Sequence, residues 1–328
     1  MEKLKLPIKD RKTTSFTNKP WFSAVLPLIV LFVLMSLIKP DTFLTTSNLM
    51  NILRQASTYA IMAVGMTFPI ITGGIDLSQG SLLAVVAIVA GMIIRDTESI
   101  LLAVLAGLVI GAVNGFLNGT VIAYLEMPPF IMTLGTMRAL RGVALLLTKG
   151  SPIDIKLEAY RFMGTQSFLG IPLPAYMFIL VAIAGQFILS KTATGRYIFA
   201  LGSNVEAAKI SGVKIVRNRI KAYMISGVCV AIASLLYISR LGSAQPIAGE
   251  GYEMEAVAAT VIGGTSIVGG EGSAMGSIIG AVVVALIRNA MVLLQISTYW
   301  QSIVIGLVIV VSVSIDIIRK RIEARRVG

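Results

Sequence analysis

The chain has 328 residues, 56% of them hydrophobic and 13% charged, with a mean hydropathy of +0.86 and a formal net charge of +12. That composition cannot cover a water-facing surface, so the chain reads as an integral membrane protein. With no histidine and a single cysteine, Cys229, it offers no Cys/His metal set, no His-based nucleophile system and no disulfide within the chain.

A basic arm, residues 1–20, precedes the first apolar run at 21–38. No small-residue cleavage site follows that run, which reads as a retained span rather than a signal peptide. Runs of roughly the length that crosses a ~30 Å hydrocarbon core recur at 57–75, 80–94, 100–124, 129–148, 169–190, 222–241, 256–270, 273–292 and 299–318. Basic residues collect in the arm, in the segment 191–221 and in the tail 319–328. Lysine and arginine beside spans mark the cytoplasmic side. Ten crossings with both termini inside put all three basic segments there, so the expectation is an all-α, polytopic protein with one transmembrane domain, 21–318. A re-entrant turn is the alternative for the Gly-rich 256–270, and a break is the alternative for 100–124.

Between the second and third runs the stretch Thr72–Ser81, TGGIDLSQGS, puts one carboxylate, Asp76, into a Gly-rich break at membrane depth. Non-helical backbone and a carboxylate are tolerated there only against other protein or a wet cavity. Asp76 and Ser78 are therefore candidates for the wall of a translocation path. Asn114 and Asn118, four apart on one helix face, either bond between helices or line the same path. Gly107, Gly111, Gly115 and Gly119, and likewise Gly272, Gly276 and Gly280, form smooth stripes for close helix approach, within the chain or between subunits. Arg138 and Arg141 in the fifth span and Arg288 near the outer end of the ninth are further charges inside spans, each facing solvent or snorkelling.

In the segment 191–221, Asn204 is placed to cap a helix, Glu206 lies in its first turn and Gly212 can end it. Ala207 and Ala208 give this short helix a small, smooth face for another protein; the alternative is a helix lying on the membrane surface. No G-x-x-x-x-G-K-[ST] loop occurs in the chain, so ATP is not bound by that device. ATP-driven transport would draw on another polypeptide.

Several blocks are distinctive: AIMAVGMT (Ala60–Thr67), TGGIDLSQGSLLA (Thr72–Ala84), RGV (Arg141–Val143), GSP (Gly150–Pro152), TGRYIFALGSNVEAAKISGV (Thr194–Val213) and RLGSAQPIAGEGYEMEAVAATVIGGTSIVGGEG (Arg240–Gly272). Through them, over essentially its whole length, the chain resembles the permease subunits of bacterial ATP-binding cassette importers for monosaccharides, the ribose type in particular. The resemblance implies an inner-membrane core of two permeases, commonly a homodimer. It also implies two cytoplasmic ATP-binding subunits, or one fused double ATPase, and an extracytoplasmic sugar-binding protein. ATP and Mg belong to the ATPase partners; no cofactor, metal, catalytic residue or nucleic acid is expected on this chain. Gly202, Asn204, Ala207, Ala208, Ser211 and Gly212 match the family's coupling helix, which sits in a groove of the ATPase. The block 242–272 resembles the gate region, with Gln245, Thr265 and Ser266 as path or gate candidates. Its acidic cluster, Glu250, Glu253 and Glu255, is a candidate for docking the binding protein, or simply a set of solvated ends. Gln79 stands where valine is usual. The runner-up is a branched-chain amino-acid-type permease of the same class. A stand-alone ion-coupled carrier or channel, and a membrane-embedded enzyme, are disfavoured by the missing histidine and the scarcity of buried carboxylates.

Overall fold

The computed structural model describes residues 22–327; the basic arm lies outside them. The helices are α1 (Phe22–Ile38), α2 (Pro40–Phe43), α3 (Thr46–Ile71), α4 (Gln79–Thr97), α5 (Ile100–Tyr124), α6 (Pro129–Thr148), α7 (Glu158–Thr165), α8 (Leu173–Lys191), α9 (Ala193–Ser203), α10 (Val205–Ile210), α11 (Ile215–Leu241), α12 (Tyr252–Ile262), α13 (Ala274–Leu293) and α14 (Thr298–Val327). Two antiparallel pairs of two-residue strands complete the described residues: β1 (Ile153–Asp154) with β4 (Ser243–Ala244), and β2 (Ser167–Phe168) with β3 (Ile171–Pro172). Seven helices, α4, α5, α6, α8, α11, α13 and α14, are long and apolar enough to cross a bilayer. The architecture is all-α and multi-pass.

At the centre stands α3, in which every residue from Ala56 to Ile71 is buried. It begins well before the apolar run at 57–75, because the polar stretch Thr46–Gln55 is helical too. The Gly-rich run at 256–270 yields only the 11-residue α12, which rises about 16 Å and is too short to cross a ~30 Å core. Gly264, Gly269 and Gly270, at φ +86°, +95° and +79°, turn the chain where a side chain would be strained. Both glycine stripes pack within the chain. Gly111 abuts the backbone of Gly227, Gly115 that of Tyr223, and Gly119 lies against Ile220, joining α5 to α11. Gly280 abuts Ala259, and Gly276 abuts Gly263, joining α13 to α12.

Two non-helical segments run inside the bundle. One end of the bundle carries α9, α10 and the termini of α3 and α12; it is the end bearing the basic segment 191–221. From Ile71 at that basic end, residues 72–78 turn back into the protein, and Gln79 opens α4 beside Met62 and Ser226. Met62 lies nine residues before the end of α3, so α4 starts about 13 Å inside the bundle. From the opposite end, residues 245–251 run inward from β4 until Gly249 meets Gly80. Helix α12 therefore also starts in the interior. Arg141 Nη1 donates to the carbonyls of Pro246 (2.6 Å) and Ala248 (2.9 Å), satisfying backbone acceptors that no helix provides for.

Candidate translocation and coupling sites

The first inward segment is held by its side chains. Asp76 is fully buried. Its Oδ1 accepts from the Ser78 N–H (3.1 Å) and the Ser78 hydroxyl (2.6 Å), and its Oδ2 accepts from the Ser226 hydroxyl (2.7 Å). Ser78 Oγ in turn accepts from Asn114 Nδ2 (3.2 Å) and Asn118 Nδ2 (3.0 Å). Thr136 Oγ1 donates to Asn118 Oδ1 (2.7 Å), and Gln79 Nε2 donates to Ser226 Oγ (2.9 Å). One connected network thus ties the segment to α5, α6 and α11. Asp76, Ser78, Asn114 and Asn118 are brought together as interhelical bonds, and none faces an open path in this conformation. Gln79, in the place of the usual valine, is part of the same network.

Gln245 is exposed on the second inward segment, and Thr265 and Ser266 lie far from it at the basic end. Ser266 Oγ and the Ile267 N–H both donate to Asp316 Oδ2 (2.9 and 3.2 Å), fastening the loop 263–273 to α14. Next to that loop is the elbow between α9 and α10. Asn204 caps α10, its Oδ1 accepting from the Ala207 N–H at 2.9 Å, and Gly212 ends it at φ +77°. Gly202 lies so close to the Ile71 carbonyl and the Gly270 amide that a Cβ would overlap both, and Gly270 N–H donates to Ile71 O (2.9 Å). The elbow, the end of α3 and the loop 263–273 therefore form one contact chain. Of the two alanines, Ala207 is exposed, but Ala208 packs inward with 4% exposure. The outward apolar group is Ile210, 88% exposed. A six-residue helix has too few turns for periodicity to reveal which side faces out.

At the opposite end a cavity of about 600 Å³ is lined by Arg54, Tyr59, Arg240, Tyr252 and Arg288 among others. Tyr252 stacks edge-on with Tyr59 (4.9 Å) and Tyr237 (6.0 Å), and Arg288 lies 5.8 Å from the centre of the Tyr59 ring. Beside the cavity, Glu255 is buried and paired with Arg288. Glu253 is also buried, its carboxylate against Gly80 at the start of α4. Only Glu250 of the acidic cluster is exposed. Arg54 and Arg240 did not stand out as single residues. The signal was the polar stripe Asn51, Arg54, Gln55 and Thr58, which recurs at helical spacing and marks a wet wall. Arg288→Leu strands the Glu255 carboxylate, so it is expected to destabilise the protein by about 3–5 kcal/mol. Pairing it with Glu255→Gln restores most of the loss, as measured by thermal unfolding in detergent.

A sequence profile described as "Branched-chain amino acid transport system / permease component" matches residues 48–313. The chain belongs to this permease family. The permease is 40% identical over 308 residues to the ribose import permease protein RbsC of Escherichia coli strain K12, covering 92% of this chain and 96% of that protein. It is 43% identical over 294 residues to the ribose import permease protein RbsC of Bacillus subtilis strain 168, covering 89% and 91%. Against the D-allose transport system permease protein AlsC of Escherichia coli strain K12 the identity is 34% over 291 residues, covering 88% and 89%. No solved structure matches the chain. The permease is a multi-pass membrane transport subunit.

Proposed function

We propose that this permease imports a monosaccharide, ribose or a close relative, across the bacterial inner membrane. ATP hydrolysed by separate subunits at the basic, cytoplasmic end drives the step. The observation that carries the substrate class is the cavity at the opposite end, in whose walls arginine, tyrosine, asparagine, glutamine and threonine outnumber the apolar Leu241 and Val292. Such walls offer many hydrogen-bonding groups and suit a polyhydroxylated solute better than a branched apolar side chain. The names of the ribose and allose permeases point the same way. The proposed assembly is a pair of permeases, two ATP-binding subunits and an extracytoplasmic binding protein. Helix α10 docks in the ATPase through Ala207 and Ile210, and the Gly202 contact passes its motion to α3 and the loop 263–273. Glu250, the exposed acid, is the rim residue offered to the binding protein. Ten crossings, with α1, α3 and the inward segment 245–251 joined to α12 added to the seven long apolar helices, keep both termini on the ATPase side.

Reconstitution tests this reading. In proteoliposomes the permease alone is expected neither to hydrolyse ATP nor to move sugar, and with its ATPase and binding protein it takes up radiolabelled ribose. Uptake of leucine in place of sugar overturns the substrate class. Sugar uptake driven by a proton or sodium gradient without the ATPase overturns the importer reading.

A further inference from the structure

On the flank of the bundle, a groove of about 550 Å³ runs between α3, α8 and α11. The buried Val64 and Phe68 of α3 form its floor, Ala184 and Ile188 of α8 one wall, and Val228 and Ile232 of α11 the other. Its one charged group is Lys221, at the end nearest the basic segment. From Lys221 to Ile232, α11 rises about 16 Å, close to half of the ~30 Å hydrocarbon core and therefore to the depth of one leaflet. Lys221 Nζ donates to Thr194 Oγ1 at 3.2 Å. Among the described residues the ion pairs are Arg95–Asp96 and Arg288–Glu255, so the lysine has no carboxylate partner. An ammonium carries three donors, so beyond Thr194 two remain for an oxyanion.

We infer that this groove holds one acyl chain of an anionic phospholipid from the leaflet at the basic end, with the lipid phosphate on Lys221 and Thr194. An apolar channel one leaflet deep, closed at the headgroup level by an unpaired cation, matches the two halves of such a lipid. A basic residue at that level attracts anionic headgroups.

The test is native mass spectrometry of the full chain in mild detergent, with equal amounts of palmitoyl-oleoyl phosphatidylglycerol and phosphatidylcholine added. Wild type is expected to retain the anionic lipid about fivefold over the neutral one, the effect of one basic residue near a charged headgroup. Lys221→Gln, on a part-exposed side chain, brings the ratio near one while total bound lipid is kept. Ala184→Trp, at an exposed position on the groove wall, removes the bound lipid of either kind. Equal retention of the two lipids by wild type, or an unchanged preference in Lys221→Gln, overturns the headgroup assignment. Full lipid retention in Ala184→Trp overturns the groove assignment. Conversion of a dimer to a monomer by Ala184→Trp, with lipid binding unaltered, assigns the groove to a second copy of the chain instead.

Discussion

Replacing Asp76 with leucine is expected to remove most of the folded permease from the membrane, whereas asparagine leaves it assembled and transporting. The carboxylate is fully buried and takes bonds from the Ser78 amide and from the hydroxyls of Ser78 and Ser226. Leucine orphans those donors and loosens Ser78, to which Asn114 and Asn118 are bonded. Each buried polar group left unmade costs about 1–3 kcal/mol. Two or three such losses lower the folded population by at least tenfold, read as detergent-soluble, monodisperse protein on fluorescence-detected gel filtration. Asparagine keeps an oxygen acceptor, and serine hydroxyls can turn to accept from its amide. An asparagine variant that assembles fully and transports nothing would show instead that the charge acts in the transport step.

Ile210→Asp and Ala207→Arg are expected to insert normally and yet lose the ATPase subunit on purification, with sugar uptake falling at least tenfold. Burying an isoleucine is worth about 1.5–3 kcal/mol, and an arginine forced into a packed contact costs about 1–3 kcal/mol. Ala208→Arg acts differently, because its site is already filled by the permease itself; that variant loses folded protein first. A helix that merely lies on the membrane surface accepts Ala207→Arg, since anionic headgroups attract the new charge. Wild-type recovery of the ATPase with both outward variants would remove α10 from the coupling role.

The long apolar helices were legible because length and hydropathy alone define them: α5 and α6 match the runs at 100–124 and 129–148 end to end. The early start of α3 was hidden because its first turns face a polar cavity rather than lipid, so their composition imitates a loop. Likewise α12 looks longer in the sequence because Ile267 and Val268 extend the apolar run, while the glycines of 263–270 do not sustain a helix. At the candidate sites, the Asn204 cap and the Gly212 stop were readable because they depend on neighbours in sequence. The inward placement of Glu253 and Glu255 was not, since it depends on Gly80 and Arg288, which are remote in sequence. Acids near a span end are ordinarily solvated.

The contact between α5 and α11 constrains how this molecule can move. Helices that slide past one another do so by letting side chains on their shared surface exchange rotamers. Along this seam Gly111 and Gly115 meet the backbones of Gly227 and Tyr223 with no room for a Cβ, so there is little side chain to exchange. The two helices behave as a keel. Any alternation between outward and inward access is expected to be carried by parts that hinge around it, the second inward segment and the elbow at Gly202 among them.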